Sequence, residues 1–226
     1  MQTWYYVEIL CLCAISLDGI LSANWPALRP WGLFRTGFLV VMMTWSAGAA
    51  WEEAHTRRSN VDLIAAVLGQ KAAAGDLIVV QEAWEGITFD RYYHGQARWV
   101  TVPPIDSHKV HRNDLVMEKM KELDPMAPVL REITSTLRSG HSVWVVGNVP
   151  VTRPEQLPPM PPPPPPELPT RWWLGSYLYC WNMQVTMQLL EQARQAEVQK
   201  IPVAAPVNHL EMLSVERFSG YQAGAE

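Results

Sequence analysis

The feature that most constrains this chain is a repeated unit in which a helix-period segment breaks at glycine and runs into an unbroken apolar strand. The first copy is "SNVDLIAAVLGQKAAAGDLIVVQ" and the second is "DPMAPVLREITSTLRSGHSVWVVG". In the first, Leu63, Ile64, Val67 and Leu68 share one helical face, Asn60 is placed to cap the start, and Gly75 is placed to stop the helix. In the second, Asp124 reads as the N-cap and Pro125 as the first helical residue. Met126, Val129, Leu130, Ile133 and Leu137 follow as a core stripe, and Gly140 is the stop. The strands "DLIVVQ" and "SVWVVG" lack the polar alternation of a half-exposed strand. Such strands belong in a parallel sheet covered by helices on both faces. "ARWVTVPP" between them reads as a third strand. The predicted order over residues 60–147 is α–β–α–β–α–β, a small Rossmann-like three-layer α/β domain with a parallel sheet.

Two apolar runs precede this domain. "WGLFRTGFLVVMMTWSAGAAW" (31–51) has no charge after Arg35 and is bracketed by Trp31 and Trp51. About 20 apolar residues span a bilayer, interfacial Trp suits its edges, and an arginine near one end can snorkel. The run predicts a transmembrane helix. "WYYVEILCLCAISLDGIL" (4–21) carries Glu8 and Asp18, which suit a helix facing other helices better than a lone span. It lacks the basic start and cleavage site of a signal peptide. Arg29 and Arg35 place the link between the runs in the cytoplasm, and residues 52–226 outside it. The predicted location is the cytoplasmic (inner) membrane, with the lipid bilayer as a partner. A bland alternative is two helices buried in a larger fold.

Beyond the domain, "PPMPPPPPPELP" (158–169) must be extended polyproline II and reads as a spacer more readily than as a ligand for a proline-reading domain. "YLYCWNMQVTMQLLEQARQAEV" then reads as one amphipathic helix. Tyr179, Met183, Met187 and Leu190 lie on its packing side and Glu191, Arg194 and Glu197 face water. The tail after it has no clear pattern. The predicted boundaries are 1–51 for two membrane helices, 52–150 for the α/β domain, 151–172 for the proline-rich linker, and 173–226 for helix and tail.

Composition excludes several classes. A net charge of −4 offers no basic field for nucleic acid. Three cysteines do not make a disulfide framework. Neither "QEAWEG" nor "GNVPVT" matches a glycine-rich phosphate loop, so no nucleotide cofactor is expected. The most site-like loop is "PPIDSHKVHRND", with Asp106, His108, His111, Arg112 and Asp114 after the third strand pattern. His108 and His111 could share a helical face, but a metal site needs further ligands, and none is expected. After the first strand, "QEAWEGITFDRYYHG" offers Glu82 and Glu85 as an acid pair, and Trp84 and Tyr93 as faces on which a sugar could stack. The plainer reading is a packed corner with a polar rim, in which Phe89 and one of Tyr92 and Tyr93 are core. The candidate substrate-binding residues are therefore Trp84, Glu85, Tyr93, Asp106, His108, His111 and Arg112. No nucleophile-and-base spacing is recognisable.

A two-helix membrane end, "NVDLIAAVLGQKAAAGDLIVV", the aromatic "FDRYYHG" and "LRSGHSVWVVG" together resemble the carboxyl-terminal region of bacterial membrane glycosyltransferases. These are the dolichyl-phosphate-mannose protein mannosyltransferase-like proteins (family 39, GT-C), and the likeness covers roughly residues 1–150. The resemblance implies a polyprenyl-phosphate sugar donor, inverting transfer outside the cytoplasmic membrane, and a soluble domain after the last span. That family's catalytic acid lies in the first external loop of a many-helix bundle. No such loop is present here, so no catalytic residue carries over. The expectation is a membrane-anchored, extracytoplasmic domain that is not catalytic alone, either a fragment or a relative acting with a partner. The rival is a non-enzymatic adaptor that holds another membrane protein through the proline-rich segment and last helix.

Overall fold

The computed structural model describes residues 55–147, 159–162, 171–209 and 211–223, with Ser16 and the helical positions 37–38, 40–42, 44–45, 47–48 and 51–52. The chain divides into two compact units, Met1–His55 and Thr56–Glu226. In the first, the predicted span 4–21 lies outside the described residues except for Ser16. Every described residue of the 31–51 run is helical, and Phe38, Val40, Val41, Met42 and Trp45 are exposed. Among the described residues no helix is long and apolar enough to cross a membrane.

The second unit is a mixed α/β fold. Its elements are α1 (Val61–Lys71), β1 (Leu77–Val80), α2 (Glu85–Tyr92), β2 (Arg98–Thr101), α3 (Asn113–Lys119), α4 (Ala127–Arg138), β3 (Val143–Gly147), α5 (Arg171–Gln192), β4 (Ala193–Gln199) and β5 (Ser214–Tyr221). The strands form one sheet in the order β2-β1-β3-β5-β4. β1 pairs in parallel with both β2 and β3, as the apolar strand pattern predicts. The tail extends the sheet with an antiparallel pair, β5 against β3 and β4 against β5. Within the sheet, parallel pairing is therefore confined to the three predicted strands.

Alternate side chains of β1 and β3 serve two separate cores. Leu77, Val79, Val143 and Val145 meet α4 and α5 through Val129, Ile133, Leu137, Trp181, Val185 and Leu189. Ile78, Val80, Trp144 and Val146 meet α1 and α2 through Val61, Ile64, Leu68 and Phe89. Both central strands are buried along their whole length, which is why their sequences carry no polar alternation.

One carboxylate organises the entry to this central pair. Asp76, 7% exposed, accepts hydrogen bonds from the Ser142 N–H at 2.9 Å, the Trp144 Nε1–H at 2.9 Å and the Ala73 N–H at 3.1 Å. Its partners lie on the chain entering β1 and on that entering β3, so it fixes the pairing of the two strands.

Several local expectations are corrected. Asn60 stands at the N-cap position of α1, as expected, but its side chain makes no capping hydrogen bond. Its buried amide instead accepts from Leu213 N–H at 2.9 Å and donates to Leu213 C=O at 2.8 Å, mimicking a strand pair. The buried face of α1 is Val61, Ile64, Ala65 and Leu68, leaving Leu63 and Val67 half-buried. α1 ends at Lys71, ahead of Gly75. α4 starts at Ala127 with Pro128 in its first turn, because Asp124–Met126 form a separate turn. Gly140 does stop α4. At φ +79°, its N–H reaches Leu137 C=O while the His141 N–H reaches Thr136 C=O, a left-handed closure that favours glycine.

The predicted last helix ends early. Residues 193–199 leave it at Gln192 and become β4. Tyr179 and Leu190, expected to pack, are 43% and 47% exposed, whereas Tyr177, Trp181, Val185 and Leu189 are buried. A buried face that wide defeats a single-stripe reading. The polar sequence of β4 suits an edge strand, where charge discourages further pairing.

The aromatic corner after β1 is core. Phe89 is 0% exposed; it stacks on Tyr93 at 4.9 Å and meets Trp99 edge-on at 5.3 Å. Phe89→Ala is expected to cost about 3–5 kcal/mol, and urea unfolding of the full chain checks it. Asp76→Ala leaves three donors without their acceptor and is expected to cost about 3 kcal/mol or more by the same measurement.

Candidate functional site

In parallel α/β sheets, the loops at the carboxyl ends of the strands meet where successive connections diverge to opposite sides. Here that place lies between β1 and β3. β1 leads into Gln81–Trp84 and the start of α2, β2 leads into the 102–112 loop, and β3 ends at Gly147. β5 runs the other way, and Ser214 pairs with Gly147, so the residues just before β5 join the same rim.

Gly147 has a close-packed reason to be glycine. Its φ is +143°, and a Cβ there would lie 2.6 Å from Gln81 Oε1. Gln81 is 2% exposed, and among the described residues its Nε2 has no hydrogen-bond partner.

Glu82 and Glu85 follow on the turn into α2. The pKa of Glu82 is raised by burial, against which a hydrogen bond with Trp84 pulls back. Burial pushes Glu85 up to about 7, with further repulsion from Glu82 and then from Glu211. The rim is therefore acidic, and its carboxylates come from the loop after β1 and from the segment leading into β5.

His108 presses on the first turn of α2, where a Cβ on Gly86 would lie 2.8 Å from its Nδ1. Its ring lies 4.6 Å from that of Trp99. Burial holds its pKa below the ordinary histidine value, against the opposing pull of Asp90 and Asp106. Its Nδ1 is buried and has no hydrogen-bond partner among the described residues. Trp84, His111 and Arg112 meet across a crevice shared with Ile87, Ile105 and Val116. The crevice holds about 10 Å³, room for no more than one water. It is a packed seam whose outer wall, at His111 and Asn113, is exposed.

Arg112 is turned to Asp114 by bonds of 2.6, 2.8 and 3.1 Å. This pairing holds Asp114 down at about 2 and occupies the guanidinium. His111 and Asp106 are exposed. Among the described residues no group of three His, Cys, Asp or Glu side chains is placed to hold a metal ion. Tyr93 does not join the rim. It is 8% exposed in the α1–α2 core, and its hydroxyl donates to Ala97 C=O at 3.1 Å. Of the candidate residues, the fold brings Trp84 and Glu85 to the turn after β1 and Asp106, His108, His111 and Arg112 into the 102–112 loop after β2, and leaves Tyr93 in the core. Gln81 and Glu211 were not singled out from sequence. Glu211 belongs to the site only because β5 returns antiparallel beside β3.

Compared with known proteins, the chain matches no family model, no curated protein and no solved structure.

The Glu85 shift carries a stability signature. The folded chain holds the Glu85 proton up to about pH 7, while the unfolded chain releases it near the ordinary value of 4.5. The folded state thus binds more protons between these values, and stability falls as pH rises through that window. Glu85→Gln removes the buried charge. It is expected to melt above the unsubstituted chain at pH 8, with the gap closing at pH 4. An equal gap at both pH values would contradict the assignment.

Proposed function

We propose that this chain is the membrane-anchored, extracytoplasmic α/β part of a GT-C-like glycosyltransferase that works with a lipid-linked sugar, and that the α/β unit recognises rather than reacts. The observation that supports this most is the acidic, aromatic-edged rim at the carboxyl ends of β1 and β3. Ionised carboxylates accept hydrogen bonds from hydroxyl groups, and an indole face suits carbohydrate C–H groups. Above about pH 7, where Glu85 is ionised, the same carboxylates repel phosphate. The hydroxyl-rich portion of a substrate therefore fits the rim better than its phosphate.

Further support comes from the sequence. The apolar run 31–51 fits an anchor, and the three parallel strands with helices on both faces fit the Rossmann-like reading. The chain's own residues would bind and orient a glycan, while bond cleavage would fall to an acid on another part of the assembly.

Two measurements test this. The full-length chain is expected to stay with membranes through an alkaline carbonate wash, and its release into the soluble fraction would remove the anchor. In detergent, a panel of neutral methyl hexosides is expected to bind more tightly than the corresponding hexose phosphates. Trp84→Ala should weaken neutral glycoside binding about tenfold, which corresponds to roughly 1.4 kcal/mol. Tighter binding of the phosphates would overturn the glycan reading.

A further inference from the structure

The described part of the proline-rich segment is held against α5. The Tyr177 hydroxyl donates to two successive carbonyls, Pro161 C=O at 3.2 Å and Pro162 C=O at 3.0 Å. One turn further along the helix, the Cys180 thiol points to Pro159 C=O at 3.8 Å. The segment and the helix run antiparallel across this contact. Tyr177, Cys180 and Trp181 stand at positions that share a helical face, and the Tyr177 and Trp181 rings lie 5.3 Å apart at an angle of 56°. Trp181 is 0% exposed, and among the described residues its Nε1–H has no acceptor, an orphan donor that a fold keeps only at a cost.

These are the elements by which proteins read proline. A proline run has no N–H groups to satisfy its own carbonyls, so it presents acceptors on a preformed extended helix. Aromatic grooves recognise it by packing against the rings and donating to those carbonyls. α5 supplies a hydroxyl donor in use at Tyr177, on a face where the Tyr177 ring leans on that of the core residue Trp181.

We propose that the Tyr177–Cys180–Trp181 face of α5 is a binding site for proline-rich, polyproline II peptide, and that Pro159–Pro162 of this chain occupies it as an internal, displaceable ligand. The site is independent of the glycan reading. A proline-rich segment on another protein gains access by displacing the internal one, which makes the contact self-blocking.

The test uses the full chain in detergent and a fluorescent peptide of sequence PPMPPPPPPE, copied from residues 158–167. In one variant those residues are replaced by a glycine–serine stretch of equal length. The peptide is expected to bind this variant saturably. Binding to the native chain should be at least about tenfold weaker, because a tethered competitor acts at roughly millimolar effective concentration. Adding Tyr177→Phe to the replaced chain keeps the ring and removes the donor, and should weaken binding about tenfold. A glycine–serine peptide should not bind either chain. Circular dichroism confirms that each variant remains folded. If the replaced chain is not folded, the native chain decides, with binding expected at millimolar peptide and lost on Tyr177→Phe. Absence of saturable binding, equal affinity for native and replaced chains, or indifference to Tyr177→Phe would each overturn the proposal.

Discussion

The α/β unit depends on burying β1 and β3 on both faces while giving every polar group at their entry a partner. Asp76 meets that constraint. A carboxylate this deep is tolerated because it accepts three hydrogen bonds, each strengthened by charge. The apolar strands can then pair in register, Leu77 opposite Val143 through Val80 opposite Val146. Helices close over both faces, and the loops at the far end of the sheet are set in place as a consequence.

The central sheet was legible because burial leaves a direct trace. "LIVV" and "VWVVG" read as parallel core strands because they are unbroken apolar runs alternating with helix-period segments, and Gly140 marked a helix end that the backbone confirms. The antiparallel extension was not legible. β5 carries Glu216 and Arg217 beside its buried Val215 and Phe218, so it shows neither a continuous apolar run nor a clean alternation. Arg217 has a tertiary explanation, since its guanidinium stacks 5.4 Å over the Trp144 ring. β4 follows α5 without an intervening loop, and nothing in "ARQAEVQ" separates an exposed helix end from an exposed edge strand. Asn60 does stand at the N-cap position, but its side chain's partner, Leu213, was not legible because it is remote in sequence.

The candidate site was legible in its local half. Trp84, Glu85 and the 103–114 loop follow strands, and strand ends are where α/β sheets place their working loops. Glu211 became visible only through the return of β5. Tyr93 shows the opposite error, because an aromatic in a loop-like sequence proved to be the last core residue of its corner. The acidity of the rim also belongs to the assembled fold. Glu85 is held near 7 by burial and by two neighbours, one of them on a segment far along the chain.

The strand order also bears on how the chain is made. β5 follows every other strand in sequence yet lies between β3 and β4. During translation, β1, β2 and β3 can assemble while the outer backbone edge of β3 still awaits its neighbour. β4 cannot fill that gap, because it pairs with β5 alone. A nascent chain paused before residue 214 would thus present a bare hydrogen-bonding edge beside Val143 and Val145, the kind of surface that chaperones hold and that aggregates recruit.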